Sequence, residues 1–133
     1  MDIGVALLIG IGAAFTLPRA IAFVKDFNMR GKKAPPLRDG EIFADGRQII
    51  YFYTEQCPGC RVQAPIVNRL ITNFPGKVTK INVSEHTDAT QKYHIFGVPS
   101  TIFIEDGKFV KSMTGPVPEA KLTAFLIATR DLK

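Results

Sequence analysis

The sequence contains few of the residues that build disulfide scaffolds and metal clusters. Among 133 residues there are two cysteines and two histidines. Both cysteines lie in one Cys-x-x-Cys motif, Cys57 to Cys60, which excludes a framework of several disulfides. Structural zinc needs four ligands, and only His86 and His94 could complete the set, at a spacing unlike that of zinc motifs. A zinc or iron–sulfur half-site is therefore kept only as an alternative.

A concentrated patch of positive charge is also missing from most of the chain. The net charge is +5, but residues 40–133 carry eleven basic and nine acidic side chains, whereas residues 1–39 carry six basic and three acidic. Basic side chains are not interleaved with stacking aromatic residues along a stripe. We therefore expect no nucleic-acid partner.

The stretch that carries the chemistry is the one that contains both cysteines. An apolar, aromatic run, Ile49–Tyr53, ends at a turn, and after Cys60 apolar residues recur every three to four positions, which indicates a helix. The N-terminus of a helix stabilises a thiolate through its dipole and its unpaired N–H groups. Cys57 would then be a nucleophile near neutral pH, and Cys60 would resolve the mixed disulfide.

Strand and helix patterns alternate through the rest of the chain. Predicted strands cover 41–44, 48–54, 78–83, 99–105 and 108–113, and predicted helices cover 57–73, 85–93 and a last segment from Pro118 onward. The helix 57–73 joins two strands as a βαβ unit, whose strands are parallel. The order predicts an α/β fold arranged βαβ-α-ββα.

A long apolar segment, residues 3–24, precedes this domain. As a helix it would span about 33 Å, enough to cross a hydrocarbon core of about 30 Å. Pro18 predicts a kink, and Arg19 would have to reach the headgroups. A cleaved signal peptide is the alternative, but a basic start and a clear cleavage site are missing. We predict a transmembrane anchor over residues 1–24.

Residues 25–40 are polar, basic and interrupted by prolines, which is typical of a linker. The basic residues follow the apolar segment, so the positive-inside rule predicts a single-pass membrane protein with its domain, residues 41–133, on the cytoplasmic side. The opposite, extracytoplasmic orientation stays open, because redox proteins of this type are often displayed outside the cytoplasm.

Four features together resemble the thioredoxin family. They are the motif Cys57-Pro58-Gly59-Cys60 after an aromatic strand, Pro65 within the following helix, the segment Gly97-Val98-Pro99-Ser100-Thr101 before a strand, and Asp106-Gly107-Lys108 followed by Gly115. The resemblance implies a thioredoxin-like three-layer sandwich in which Pro99 is cis. It also implies client contacts at Val98, Pro99, Gly59 and Gly115, and no cofactor beyond the redox-active Cys57–Cys60 pair.

The chain departs from the family pattern near the cysteines. Thioredoxins usually have a buried aspartate where this chain has Tyr51, and a tryptophan where it has Gln56. Lys80 matches a family lysine beside that aspartate, so it would tune the pKa of the Cys60 thiol.

These observations predict a thiol–disulfide oxidoreductase, specifically a membrane-tethered disulfide reductase. Its partners would be client protein disulfides or dithiols and an upstream electron donor whose identity the sequence does not give. The alternative is a membrane-tethered thioredoxin-like binding module without net redox turnover.

Overall fold

The computed structural model describes residues 2–37, 43 and 45–128 and divides into two compact units, Met1–Arg30 and Gly31–Lys133. The first unit is helix α1, Ile3–Met29, which continues past residue 24, where the predicted anchor ends. Its exposed large apolar side chains are Ile3, Val5, Leu7, Leu8, Ile9, Ile11, Ile21, Val24 and Phe27. Within the described residues, no helix combines the length and the apolarity that crossing a bilayer requires.

The second unit is built on a four-stranded mixed sheet of order β2-β1-β3-β4. Its elements are β1 (Arg47–Tyr53), α2 (Pro58–Asn73), β2 (Val78–Asn82), α3 (Thr87–Lys92), β3 (Ser100–Glu105), β4 (Lys108–Thr114) and α4 (Glu119–Ile127). Strand β1 pairs with β2 in parallel, and the β1–β3 and β3–β4 pairs are antiparallel. The parallel pair across α2 confirms the predicted βαβ unit.

The central strand β1 is apolar on both faces because both faces are covered. Ile49 and Tyr51 belong to a core cluster with Val67 and Leu70 of α2 and Leu122 of α4. On the opposite face, the ring of Phe52 lies 5.7 Å from the ring of Tyr93, which follows α3. Helices therefore lie on both sides of the sheet, and the predicted α/β sandwich is confirmed.

Residues 31–37, which the sequence assigns to the linker, are part of the second unit and pair with its β3–β4 hairpin. The Gly31 N–H donates to the carbonyl of Phe109 (2.9 Å), the Phe109 N–H donates to the carbonyl of Lys32 (2.9 Å), and the Ala34 N–H donates to the carbonyl of Gly107 (2.7 Å). Ala34 and Leu37 are buried. This pairing satisfies the backbone groups that an uncovered edge strand would leave open. The compact unit thus begins at Gly31, ahead of the predicted boundary at residue 41.

The other predicted elements agree with the structure to within about two residues, the uncertainty expected at element ends. The hairpin between β3 and β4 turns at Asp106 and Gly107, which have φ angles of +51° and +75°. Two successive positive φ angles are what a type I′ turn requires. The strand predicted at 41–44 lies outside the described residues except for Phe43.

Candidate active site

Cys57 occupies the N-cap of α2, at the end of the loop that follows β1. Its backbone is extended (φ −89°, ψ 121°), and its sulfur accepts a hydrogen bond from the Cys60 N–H at 3.3 Å. Helix α2 begins at Pro58, where a proline is tolerated because the first N–H groups of a helix have no intrahelical acceptor. The partly exposed sulfur is thereby fixed over the N-terminus of the helix.

The surroundings of Cys57 favour its thiolate. The pKa of Cys57 is lowered, first by a hydrogen bond from the Cys60 thiol and then by the backbone N–H groups of Cys60 and Gly59, while partial desolvation acts in the opposite direction. A thiolate accepts these hydrogen bonds better than a thiol does, because its charge strengthens them. Cys57 is therefore the thiol that ionises first.

Cys60 is in the opposite situation. It is 3% exposed, and this burial is the main reason why its pKa is raised. The hydrogen bond between its side chain and Cys57 raises the pKa further, whereas the Thr54 backbone and the Tyr51 side chain partly lower it. Ionisation of Cys57 is therefore favoured over ionisation of Cys60. This difference is what an attacking and a resolving sulfur would require, and those two roles stay a prediction.

The loop before β3 approaches these sulfurs through a cis peptide bond between Val98 and Pro99, which confirms the predicted geometry. The carbonyl of Val98 accepts a hydrogen bond from the Cys57 thiol at 3.5 Å. A Cβ atom added to Gly59 would lie 3.1 Å from Cδ of Pro99 and 3.6 Å from Cγ of Pro116. Glycine at position 59 therefore leaves room for this close approach.

The fourth predicted contact residue, Gly115, joins the same cluster. Its N–H donates to the carbonyl of Pro99 at 2.8 Å, and its φ of +98° lies in a region that favours glycine. The fold thus brings Val98, Pro99, Gly59 and Gly115 together around Cys57, although they come from three separate parts of the sequence.

The thioredoxin family model matches residues 39–128. The chain belongs to the thioredoxin family. It is 31% identical over 87 residues to a thioredoxin of Pseudomonas aeruginosa, an alignment that covers 64% of this chain and 81% of that protein. It is 34% identical over 88 residues to a thioredoxin of Rhodospirillum rubrum, covering 65% and 85%.

Solved structures agree with this assignment. The X-ray structure of Fasciola hepatica thioredoxin superposes with a TM-score of 0.54 at 30% identity, covering 61% of this chain and 78% of that one. Mitochondrial thioredoxin 3 of Saccharomyces cerevisiae shares the fold, with a TM-score of 0.55 at 23% identity. Family membership makes the protein a thiol–disulfide oxidoreductase. Thioredoxins act on protein disulfides directly through their dithiol and use no cofactor.

In this family member, Lys80 has partners other than the sulfurs. Its Nζ atom lies 3.4 Å from Oδ1 of Asn68 and 4.9 Å from the centroid of the Tyr53 ring. Among the described residues, the groups that shift the pKa values of the two thiols do not include Lys80. Lys80 is therefore not part of the cluster that Gly59, Pro99 and Gly115 form around Cys57.

The sequence analysis did not assign a role to Gln63, which is 0% exposed. Its Nε2 donates to the carbonyl of Val117 at 3.1 Å, and its Oε1 accepts from the Val117 N–H at 2.6 Å. Helix α2 is thereby clamped to the segment that follows Gly115. Helical periodicity could have indicated that Gln63 is buried, since it lies between Cys60 and Val67 on the buried stripe of α2.

Tyr51 was noted as a departure from the family, but no role was assigned to it. It is 1% exposed, and its hydroxyl donates to the Cys60 carbonyl at 3.4 Å. Its ring stacks on that of Tyr53, with centroids 5.6 Å apart and planes within 5°. A phenol from the central strand thus lies directly beneath the resolving cysteine.

Two large apolar side chains on the segments that carry Cys57 and Val98 are exposed. Val62 of α2 is 64% exposed, and Phe96, before Val98, is 81% exposed. A shallow cavity of about 190 Å³ is lined by Val83, Thr90, Ile95, Phe96, Gly97 and Val98. Exposed apolar surface of this kind is suited to binding another protein.

The part of the chain that the structure describes contains no candidate metal site. No three residues among its His, Cys, Asp and Glu side chains are grouped so that they could hold an ion.

Proposed function

We propose that this protein is a membrane-tethered disulfide reductase whose attacking sulfur is Cys57. The observation that carries the proposal is the position of the two sulfurs: Cys57 is partly exposed at the N-cap of α2 and accepts the Cys60 N–H at 3.3 Å, whereas Cys60 is buried. The lowered pKa of Cys57 and the raised pKa of Cys60 agree with these positions. The Cys57 thiolate attacks one sulfur of a client disulfide, and the other client sulfur leaves as a thiolate. Cys60 then attacks Cys57, which completes the Cys57–Cys60 disulfide and releases the client as a dithiol.

Client recognition is assigned to the groups that surround Cys57. The backbone of Val98 is available next to Cys57 for strand-like pairing with an extended client segment. Gly59 and Gly115 have no side chains that would obstruct this segment, and Pro99 packs against Gly59.

The reducing direction follows from the proposed location. A cytoplasmic domain meets a pool that keeps dithiols reduced, and an external domain does not. An upstream electron donor would return the Cys57–Cys60 disulfide to the dithiol after each turnover. The donor and the client stay unassigned.

The test is reduction of insulin disulfides by the full-length protein with dithiothreitol as the electron source. We expect the wild type to accelerate reduction and Cys57→Ser to lower the rate by about 100-fold or more, because the attacking sulfur is lost. Cys60→Ser should instead accumulate a mixed disulfide on Cys57, seen as a mass increase on a non-reducing gel. If the wild type and Cys57→Ser have equal rates, Cys57 is not the attacking sulfur.

The alternative is a binding module that holds a partner without redox turnover. The exposed side chains of Phe96 and Val62 favour it, because an apolar surface binds partners whether or not sulfur chemistry follows. This alternative expects the wild type to reduce no disulfide while Cys57→Ser binds the client as tightly as the wild type. Isothermal titration with a reduced client peptide would measure that affinity.

The proposed tether is α1. Large apolar side chains of this helix are exposed at Ile3, Leu8, Ile11, Ile21 and Phe27, and basic residues follow at Arg30, Lys32 and Lys33. We expect the full-length protein to resist carbonate extraction from membranes and a variant lacking residues 2–29 to be released. Labelling Cys57 of Cys60→Ser in intact cells with an impermeant maleimide tests the side. Labelling before lysis would indicate the extracytoplasmic orientation, and labelling only after lysis the cytoplasmic one.

A further inference from the structure

Tyr51, a residue of the central strand β1, lies next to Cys60. Tyr51 is 1% exposed, and its hydroxyl reaches the carbonyl of Cys60 at 3.4 Å. Cys60 is itself 3% exposed, so the hydroxyl and the Cys60 side chain share one buried site. A buried hydroxyl at this place can act on the sulfur without contact with solvent.

The groups that face Tyr51 determine what this hydroxyl can do. They are Cys60 and Cys57 from α2 and Tyr53 from its own strand. Lys80 of β2 pairs with Tyr51 in the sheet, and its Nζ atom lies 4.9 Å from the centroid of the Tyr53 ring. Burial and the neighbouring thiols raise the pKa of Tyr51 above its usual range. The phenol therefore keeps its proton at any pH at which Cys57 and Cys60 react, so it can donate a hydrogen bond but cannot serve as a base.

We propose that Tyr51 is a positioning residue for the resolving step: its hydroxyl, which donates to the Cys60 carbonyl in this structure, turns to donate to the Cys60 sulfur as negative charge develops there. This inference rests on the proposed attack by Cys57. A hydrogen bond to a charged group is stronger than one to a neutral group, so the bond stabilises the Cys60 thiolate more than the thiol. The hydrogen bond from Tyr51 thus partly offsets the loss of stability that burial imposes on the Cys60 thiolate.

The proton of Cys60 must then go somewhere other than Tyr51. In the resolving step the bond between the Cys57 and Cys60 sulfurs forms, and the bond between Cys57 and the client sulfur breaks. The electron pair of the broken bond stays on the client sulfur, which takes up the proton that Cys60 has lost. The enzyme dithiol is oxidised, the client disulfide is reduced, and Tyr51 ends the step as it began, with its proton.

The two steps can be separated by single-turnover reaction of the full-length dithiol protein with the aromatic disulfide DTNB. Attack by Cys57 releases one thionitrobenzoate, and resolution by Cys60 releases the second. We expect Tyr51→Phe, which keeps the ring, to leave the first phase within about twofold of wild type and to slow the second by about tenfold. The pH midpoint of the second phase should also move upward, because the Cys60 thiolate has lost a donor.

Tyr53→Phe is the matched control, since it removes a hydroxyl from the same ring stack but not the one beside Cys60. It should leave both phases unchanged. An unchanged second phase in Tyr51→Phe, or equal slowing of both phases, would overturn the role assigned to Tyr51. A wild type without a first phase would instead overturn the proposed function, so the two failures are distinguishable.

A second measurement does not depend on the folding of Tyr51→Phe. The chain has three tyrosines, and their ring ¹³Cζ resonances can be followed through an alkaline titration of Cys57→Ala. The resonances of Tyr53 and Tyr93 are assigned by their phenylalanine variants, which leaves Tyr51. We expect the Tyr51 resonance to shift with the midpoint of Cys60, and a resonance that ignores this titration would overturn the inference.

Discussion

Cys57 and Cys60, at the two ends of the first turn of α2, differ in the groups that surround their sulfur atoms. Cys57 is partly exposed and is held by backbone groups, namely the Cys60 N–H and the Val98 carbonyl. Cys60 is buried, and the nearest functional group beneath it is the side chain of Tyr51. Backbone groups can be supplied by any sequence with the same fold, whereas a buried side chain acts through its own chemistry.

The difference teaches where this protein can vary within its family. The environment of Cys57 requires a helix N-terminus, a cis-proline loop and glycines, all of which this chain retains. The environment of Cys60 depends on residues that the fold leaves free to change, and here it contains a neutral phenol in place of the usual aspartate. Attack and resolution can therefore be altered separately by mutation.

The largest expected effect comes from the buried side of α2. Gln63→Leu keeps the approximate volume of the side chain but leaves the N–H and the carbonyl of Val117 without their partner. Each buried group left unsatisfied costs about 1–3 kcal/mol, so the free energy of unfolding should fall by about 2–4 kcal/mol. Urea denaturation followed by circular dichroism measures this change.

The control for Gln63→Leu is Gln91→Leu, at an exposed position of α3. This substitution should change the free energy of unfolding by no more than about 0.5 kcal/mol. Equal effects of the two substitutions would show that the clamp on Val117 contributes nothing to stability.

The contrast between the thiols themselves predicts an intermediate effect. At neutral pH a lowered pKa increases the thiolate fraction of Cys57, and a raised pKa decreases that of Cys60. Cys57 should therefore be alkylated by iodoacetamide at least about tenfold faster than Cys60. The alkylation rate of Cys57 should also reach its plateau at a lower pH. Peptide mapping of the quenched wild-type protein measures both rates, and faster alkylation of Cys60 would reverse the assigned roles.

The smallest expected effect is that of Lys80. Because its Nζ atom contacts Asn68 and Tyr53, Lys80→Met should change the alkylation rate of Cys60 by less than about twofold. The exposed Lys121→Met in α4 is the control for the loss of one positive charge. A change of about fivefold or more in Lys80→Met alone would restore the pKa-tuning role that the sequence predicts for this lysine.

Much of the site follows from local sequence. The aromatic strand, the turn and the start of α2 are contiguous, and the hairpin turn at Asp106 and Gly107 depends on backbone conformations that its own residues favour. The thioredoxin-like motif around Pro99 was sufficient to predict the cis bond. Local propensities and motifs act over a few residues, so they can be recognised without knowing the fold.

The residues that the sequence analysis missed act over long distances. Gln63 and Val117 are 54 positions apart, and nothing near Gln63 in the chain indicates its partner. The pairing of residues 31–34 with β4 was missed because polar residues and prolines are typical of linkers, whereas a strand edge 70 or more positions away supplies the hydrogen bonds. The contacts of Lys80 with Asn68 and Tyr53 likewise form only in the folded chain.

The sequence by itself determined the order of strands and helices and the position of the Cys57–Cys60 pair at the start of a helix, because these depend on residues that are neighbours in the chain. Its resemblance to the thioredoxin family implied the cis bond before Pro99. Only the tertiary structure decided which side chains surround Cys60 and which segment covers the edge of β4. The physical reason is that burial and hydrogen bonds between distant segments exist only after the chain has folded, and these are the interactions that set the pKa of a buried thiol.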